Sequence, residues 1–345
     1  KCPICGKQAD IMYTFHAKKV HTNSVCKEHV FYSNYVLALK KNIFTLVCPN
    51  CGEVYEHDFK NNGVATCPSC GKTISNPKDG NIIHGKFHCS KCGEEKNLSE
   101  YSSESGYPFE TKLIAIEYYC PDCGSHGYKK IDLEDENLYK KACERYEALK
   151  DTLPIPNQDI PIGYNTNQIL KHGYKKFKDL FNKRQLLGLG LLLNKINQIN
   201  NKDVQFWLQL AFSGMLEMNN MFCRYQANAF KICNIFFNHA YVPIAMPVEN
   251  NVWGTKLGTG NFKKTIDKII RGKKFCSEIY DISTEQKAGK INVLKKFSNE
   301  TVECDPVNNI SDLDIKKPLL HCGDSRDLKF IPNESVDMIL TDPPF

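Results

Sequence analysis

Five Cys-x-x-Cys pairs constrain this chain more than anything else in it: Cys2/Cys5, Cys48/Cys51, Cys67/Cys70, Cys89/Cys92 and Cys120/Cys123. They use ten of the 17 cysteines. Two thiolates separated by two residues share one tight turn and face one ion. The pattern therefore reads as metal ligation in a reducing compartment, not as a secreted disulfide framework. Glycine after a pair, as in Cys48-Pro-Asn-Cys51-Gly52 and Cys67-Pro-Ser-Cys70-Gly71, lets the turn take a positive φ. Cys26-Lys27-Glu28-His29 supplies a sixth half-site.

Taken in chain order, the half-sites group as three sets of four. Cys2, Cys5, Cys26 and His29 form the first, with His16 or His21 as substitutes for His29. Cys48, Cys51, Cys67 and Cys70 form the second, and Cys89, Cys92, Cys120 and Cys123 the third. Thiolate and imidazole ligands suit tetrahedral zinc, with iron–sulfur ligation or thiol redox chemistry as the alternative. Four protein ligands close a site, so the expected role is structural.

This reading predicts three zinc-ribbon β modules at 1–40, 44–75 and 85–128, with strands at Phe44–Val47 and Leu113–Tyr119. Such modules are too small to bury a core, so the metal would supply their stability. Tyr55, Lys60, Lys72, Lys86, Phe87 and Lys91 offer contacts to nucleic acid. Spacers or protein-docking modules are the other use of such an array.

Beyond Cys123 the composition changes. Apolar spacing predicts a helix over Leu133–Leu149, and a Pro- and Gly-rich linker follows at 151–167, so 131–168 reads as a connector. An all-α region is expected over 169–290. It contains an apolar helix around Leu180–Ile196, and a second capped by Asp203 that buries Phe206, Trp207, Leu210, Ala211 and Leu216. A third is expected over Asn228–His239, and a basic helix over Asn261–Lys274. The formal charge of +6 is compatible with a nucleic-acid partner. No apolar run approaches the roughly 20 residues that span a bilayer, and no signal peptide is visible, so a cytoplasmic location is expected.

The segment 291–345 carries the remaining chemistry. Leu319-Leu320-His321-Cys322 and Val336–Leu340 read as strands of an α/β fold, each ending near an acid: Gly323-Asp324 after the first, Thr341-Asp342-Pro343-Pro344-Phe345 after the second. This ending resembles the Asp/Asn/Ser-Pro-Pro-aromatic motif of the S-adenosylmethionine-dependent DNA amino methyltransferases. Met246–Gly254 and Leu180–Leu187 resemble segments of adenine-specific members that also carry zinc ribbons.

The resemblance implies a multidomain protein: zinc-ribbon modules, an all-α middle region, and the truncated start of a Rossmann-like catalytic domain. It implies methylation of an exocyclic amine in DNA, adenine N6 above cytosine N4, in a prokaryotic restriction-modification or phage-defence setting. Asp342, Pro343, Pro344 and Phe345 would be catalytic, and Gly323 and Asp324 would lie at the S-adenosylmethionine site. The glycine-rich cofactor motif of that family is not found in this chain, which is expected to be an N-terminal fragment, inactive alone. An RNA methyltransferase of similar fold, or a zinc-dependent nucleic-acid-binding module without enzymatic activity, are the alternatives.

Overall fold

The computed structural model describes residues 1–22, 25–60, 63–105, 108–287, 290–298 and 305–341. It divides into a unit from Lys1 to Gly272 and a second from Lys273 to Phe345.

The first unit is built on a long antiparallel pair. Strand β1 (Asp10–His21) runs against a strand nearly a hundred residues away in sequence, and the chain between them forms small hairpins. These are β2 (Glu28–Phe31), β3 (Val36–Lys40), β4 (Ile43–Val47), β5 (Val54–Asp58), β6 (Ala65–Thr66), β7 (Thr73–Ile74), β8 (Ile82–Ile83), β9 (Lys86–His88) and β10 (Glu95–Asn97). Helix α1 (Leu98–Ser105) leads into β11 (Glu110–Tyr119), the partner of β1, and β12 (His126–Lys130) pairs the far edge of β11. Strands β3, β4 and β5 make a three-stranded sheet of their own, and β6 pairs β7.

The helices follow. Helix α2 spans Leu133–Leu149, as its apolar spacing predicts; Asp132 caps it and Asp135 completes the capping box. Next come α3 (Asn167–Lys171), a 3-10 turn (Phe177–Leu180), α4 (Lys183–Asn197) and α5 (Lys202–Leu216). Asn182 caps α4: its Oδ1 accepts from Gln185 N at 2.8 Å, while Gln185 Oε1 accepts from Asn182 N at 3.0 Å. Short strands β13 (Tyr225–Gln226) and β14 (Lys231–Ile232) pair with each other. Then β15 (Val248–Asn250) adds to the free edge of β1, with Tyr13 opposite Asn250 and Phe15 opposite Val248. Helix α6 (Phe262–Ser277) and the hairpin of β16 (Tyr280–Lys287) with β17 (Lys290–Phe297) complete the elements.

The main core lies on β1. Met12, Tyr13, Phe15 and Ala17 pack with Ile114, Ala115 and Tyr119 of β11, with Val248 of β15, and with Cys223 and Ile232. The sequence placed a boundary near residue 130. The compact unit instead runs from Lys1 to Gly272, because β15 belongs to the same sheet as β1 and β11. The 151–167 stretch is irregular, as expected, yet Leu153 and Ile160 are buried, so it is packed down.

Three helical expectations change. Residues 228–239 form turns and β14, not a helix. Phe230 and His239 hold positive φ, and Ile232, Cys233 and Ile235 go into the core at irregular spacing. The cap of α5 is Asn201, whose Oδ1 accepts from Val204 N at 3.0 Å; Asp203 lies in the first turn. Ala211 and Leu216 pack inward as expected, but the rest of the packed face of α5 is Leu208, Phe212 and Met215, against α4 and Phe262, while Phe206 and Leu210 are exposed.

The expected Rossmann-like start is not visible among the described residues. Leu319 makes an isolated parallel bridge to Val307, and Val336–Leu340 forms no strand. A parallel strand needs neighbours beside it and helices on both faces. The described part of the second unit supplies neither, and Val336, Met338, Ile339 and Leu340 are exposed.

Candidate metal centres

Each Cys-x-x-Cys turn is built in the same way. The glycine after the second Cys donates to the carbonyl of the first: Gly6 to Cys2 at 3.0 Å, Gly52 to Cys48 at 2.9 Å, Gly71 to Cys67 at 3.0 Å, Gly93 to Cys89 and Gly124 to Cys120 at 2.9 Å. All five glycines hold φ between 70° and 72°, the left-handed region that a side chain would strain. The Cys26–His29 half-site lacks this glycine; there Lys27 takes the positive φ.

All twelve ligands named from the sequence come together in three tetrads, but two of the three groupings are corrected. Cys48, Cys51, Cys67 and Cys70 meet as expected. Cys2 and Cys5 meet Cys120 and Cys123, and Cys26 and His29 meet Cys89 and Cys92. The sets therefore nest instead of following one another, and the modules 1–40 and 85–128 are not separate bodies. The cause is the β1–β11 register. Asp10 lies opposite Tyr119, which places the turn before β1 beside the turn after β11. At the far end of β1, β2 pairs back on it and carries His29 to the β9–β10 hairpin.

The donor geometry fits a tetrahedral ion. Sulfur separations are 3.8 Å for Cys2–Cys123 and 3.6 Å for Cys5–Cys120, Cys26–Cys89, Cys48–Cys70 and Cys51–Cys67. Zinc–sulfur bonds of about 2.3 Å at tetrahedral angles put two sulfurs roughly 3.8 Å apart, whereas a disulfide needs about 2.05 Å. His29 faces the tetrad through Nε2, 3.3 Å from Cys92 Sγ. His16 and His21 lie elsewhere: His16 is buried against Glu249, and His21 is exposed near Glu110.

The thiols within a tetrad oppose one another. In the outer tetrad a hydrogen bond from Ser125 draws Cys2 down to about 6, while Cys5, against a backbone bond from Lys7 that lowers it, is pushed up to about 12 by burial and the neighbouring Cys123 and Cys120. Burial likewise raises Cys48 to about 12. Four thiolates ionise together only with a cation among them.

Two supporting groups were not legible in the sequence. Ser125 Oγ lies 3.2 Å from Cys2 Sγ and 3.0 Å from Cys123 Sγ. At the middle tetrad, Tyr101 Oη accepts from His29 Nδ1 at 3.1 Å and donates to Glu94 Oε1 at 2.6 Å. This relay holds the His29 ring so that Nε2 faces the metal. Tyr101→Phe is expected to weaken metal binding at this tetrad about 10- to 100-fold and leave the other two unchanged. Competition with a chromophoric chelator would count one weakened ion per chain; three equally weakened ions would contradict the assignment.

The other named residues fall outside the tetrads. Phe87 is buried against Phe31 and Tyr101, whereas Lys86 stays partly exposed and pairs with Glu95 at 2.8 Å. Asp324 is exposed and tied to its own turn. It accepts from Arg326 N at 2.9 Å and from Arg326 Nη2 at 2.6 Å, which holds its carboxyl below the usual range. Gly323 adjoins it. Asp342, Pro343, Pro344 and Phe345 lie outside the described residues.

The fold and site define a class: a mixed α/β, multidomain chain with three Cys/His tetrads typical of zinc-binding β modules, consistent with three structural zinc sites. No family model, curated protein or solved structure matches the chain. None of its helices is long and apolar enough to cross a membrane, among the described residues.

Proposed function

We propose that this chain serves S-adenosylmethionine-dependent methylation of an exocyclic amine in DNA, adenine N6 in particular, on a scaffold held by three structural zinc ions. The observation that carries the reading is the sequence Thr341-Asp342-Pro343-Pro344-Phe345, preceded by Gly323-Asp324. S-adenosylmethionine, when bound, supplies an electrophilic methyl group on a sulfonium. The residues of this chain would prepare the amine. Asp342 and the Pro343 carbonyl accept hydrogen bonds from the NH2 of an extruded base and favour a tetrahedral nitrogen. Its lone pair is then free to attack in line. The two prolines stiffen the turn and leave the carbonyl exposed. Phe345 stacks on the extruded base and offsets part of the few kcal/mol lost on unstacking. Gly323 and Asp324 would stand at the cofactor.

The test is transfer of radiolabelled methyl from S-adenosylmethionine to DNA and to RNA by the protein carrying this chain, with nucleoside analysis of the product. Label in N6-methyladenine from DNA, abolished by Asp342→Ala, is the expected result. Label in RNA alone would move the activity to RNA. No label in either would leave a zinc-dependent nucleic-acid-binding or docking module without enzymatic activity.

A further inference from the structure

A cleft of about 810 Å³ lies between the β3–β4–β5 sheet and β12, and none of the residues named above for methyl transfer lines it. Its floor is one face of that sheet. Ala38 stands opposite Thr45, Lys40 opposite Ile43, and Thr45 opposite Glu56. One wall is His126-Gly127-Tyr128 of β12, and Phe230 borders the opening from the turn between β13 and β14.

The wall is rigid. Buried Glu117 accepts from His126 Nε2 at 2.7 Å and from Tyr225 Oη at 2.7 Å, and Tyr225 Oη meets Tyr128 Oη at 2.8 Å. The turn bearing Phe230 is tied to β3, since Leu39 N donates to Ala227 O at 3.0 Å.

Phe230 is the anomaly. Its backbone holds φ +51°, a conformation rare for a bulky side chain, and strain of this kind gathers at functional sites. The strain is not relieved by packing: the residue is 40% exposed, and its ring makes no aromatic contact among the described residues. Lys40 lines the same cleft, and Lys41 and Lys231 directly follow Lys40 and Phe230 in the chain; all three are exposed, and none has an acidic partner among the described residues. The acid lining the cleft, Glu56, stands on β5, at the opposite edge of the sheet from Lys40 on β3.

An aromatic face held open beside free cations is what single-stranded nucleic acid requires: a ring on which a base stacks, and charges that follow the backbone. The volume suits one or two unpaired nucleotides, whereas the stacked bases of a duplex present no face to Phe230. We propose that this cleft binds a short single-stranded segment of nucleic acid, with a base on Phe230 and phosphates along Lys40, Lys41 and Lys231. The binding needs neither S-adenosylmethionine nor methyl transfer, so it stands or falls apart from the function proposed above.

The test is fluorescence anisotropy with the zinc-loaded chain and a labelled oligothymidylate of roughly twelve nucleotides. The matching RNA oligomer, a duplex and polyglutamate are run beside it. Single strands are expected to bind best, and comparison of DNA with RNA identifies the source. Phe230→Gly suits the positive φ and so keeps the fold; it is expected to weaken binding about tenfold, with Phe230→Trp restoring it. Lys40→Ala with Lys231→Ala is expected to flatten the salt dependence by about 0.7 in log–log slope for each phosphate that is no longer neutralised. Metal content and melting temperature verify that each variant is folded. No binding to single strands would overturn the proposal. So would a preference for duplex or polyglutamate that Phe230→Gly leaves unchanged.

Discussion

Cys120→Ser is expected to remove one of three bound zinc ions and to disrupt the Lys1–Gly272 unit as a whole, whereas Cys67→Ser is expected to damage only the β3–β7 ribbon. The difference follows from nesting. The outer tetrad joins Cys5 to Cys120, 115 residues apart, the middle one Cys26 to Cys89, 63 apart, and the inner one Cys51 to Cys67, 16 apart. Only the outer ion clamps the ends of β1 and β11, and Cys120 is itself fully buried with Cys2, Ile116 and Tyr118. A structural zinc contributes roughly 10–16 kcal/mol at neutral pH, comparable with the entire stability of an ordinary domain.

The same spacing sets the order of assembly. Closing the outer loop from an unfolded chain costs about 2 kcal/mol more than closing the inner one, because closure entropy grows with the logarithm of length. A chelated chain given zinc back is therefore expected to fill the inner tetrad first. Metal content and amide hydrogen exchange on both variants would check this. Retained protection of β1 and β11 in Cys120→Ser, or equal loss of protection in both variants, would contradict the nested arrangement.

The second large effect is expected at Glu249. This carboxylate is buried in β15 and ties three parts of the first unit together. Arg184 of α4 donates from Nε to Oε1 at 2.7 Å and from Nη2 to Oε2 at 2.9 Å. Asn182, the cap of α4, donates to Oε2 at 2.7 Å, and His16 of β1 donates from Nε2 at 2.9 Å. Arg184 Nη2 also reaches Thr14 Oγ1 at 3.0 Å, and its guanidinium lies 4.7 Å from the Tyr139 ring centre. Removing one partner leaves a buried charge unpaired, so Glu249→Gln is expected to destabilise the fold by about 3–5 kcal/mol. Pairing Arg184→Met with Glu249→Leu is expected to recover much of that, since apolar replacement of a whole buried pair is often near neutral. Urea unfolding of the single and double variants measures both; equal losses would show that the ion pair is not the linkage.

This network also gives stability a pH dependence. Burial alone would push the Glu249 carboxyl up, but the Arg184 charge and the His16 hydrogen bond hold it far below the ordinary 4.5. Burial pushes His16 below its ordinary 6.5, more than the bond to Glu249 raises it. Its Nδ1 is buried without a hydrogen-bond partner, as suits a neutral ring protonated on Nε2. For both groups the unfolded chain takes up a proton before the native one does. Their stabilisation is full above these ordinary values and is lost as pH falls, from about 6.5 for His16 and about 4.5 for Glu249. Glu249→Gln keeps all three tetrads, so its flatter profile below pH 4.5 isolates the carboxylate's share from metal loss.

Much of this was legible beforehand because it is local. A Cys-x-x-Cys-Gly turn closes within five residues, so its donors and its positive-φ glycine are written side by side. Helix α2 shows its apolar spacing directly, whereas the capping boxes Asp132–Asp135 and Asn182–Gln185, though equally local, were recognised only in the structure. Where the sequence misled, the deciding contact was distant. Residues 228–239 look helical by composition, yet Ile232 and Ile235 answer to two different cores. Glu249 carries no mark that it will meet His16, which precedes it by 233 residues.

By itself, then, the sequence determined the eleven cysteine donors, narrowed the twelfth ligand to His29, His16 or His21, and showed how the Cys-x-x-Cys-Gly turns are shaped and which terminal motif bears the proposed chemistry. Only the tertiary structure decided how the four half-sites outside the inner tetrad share their ions. Six nearly equivalent half-sites have no local preference for one another. The antiparallel register of β1 on β11, set by the apolar faces buried between them, brings the first turn to the last and leaves the rest to pair inside.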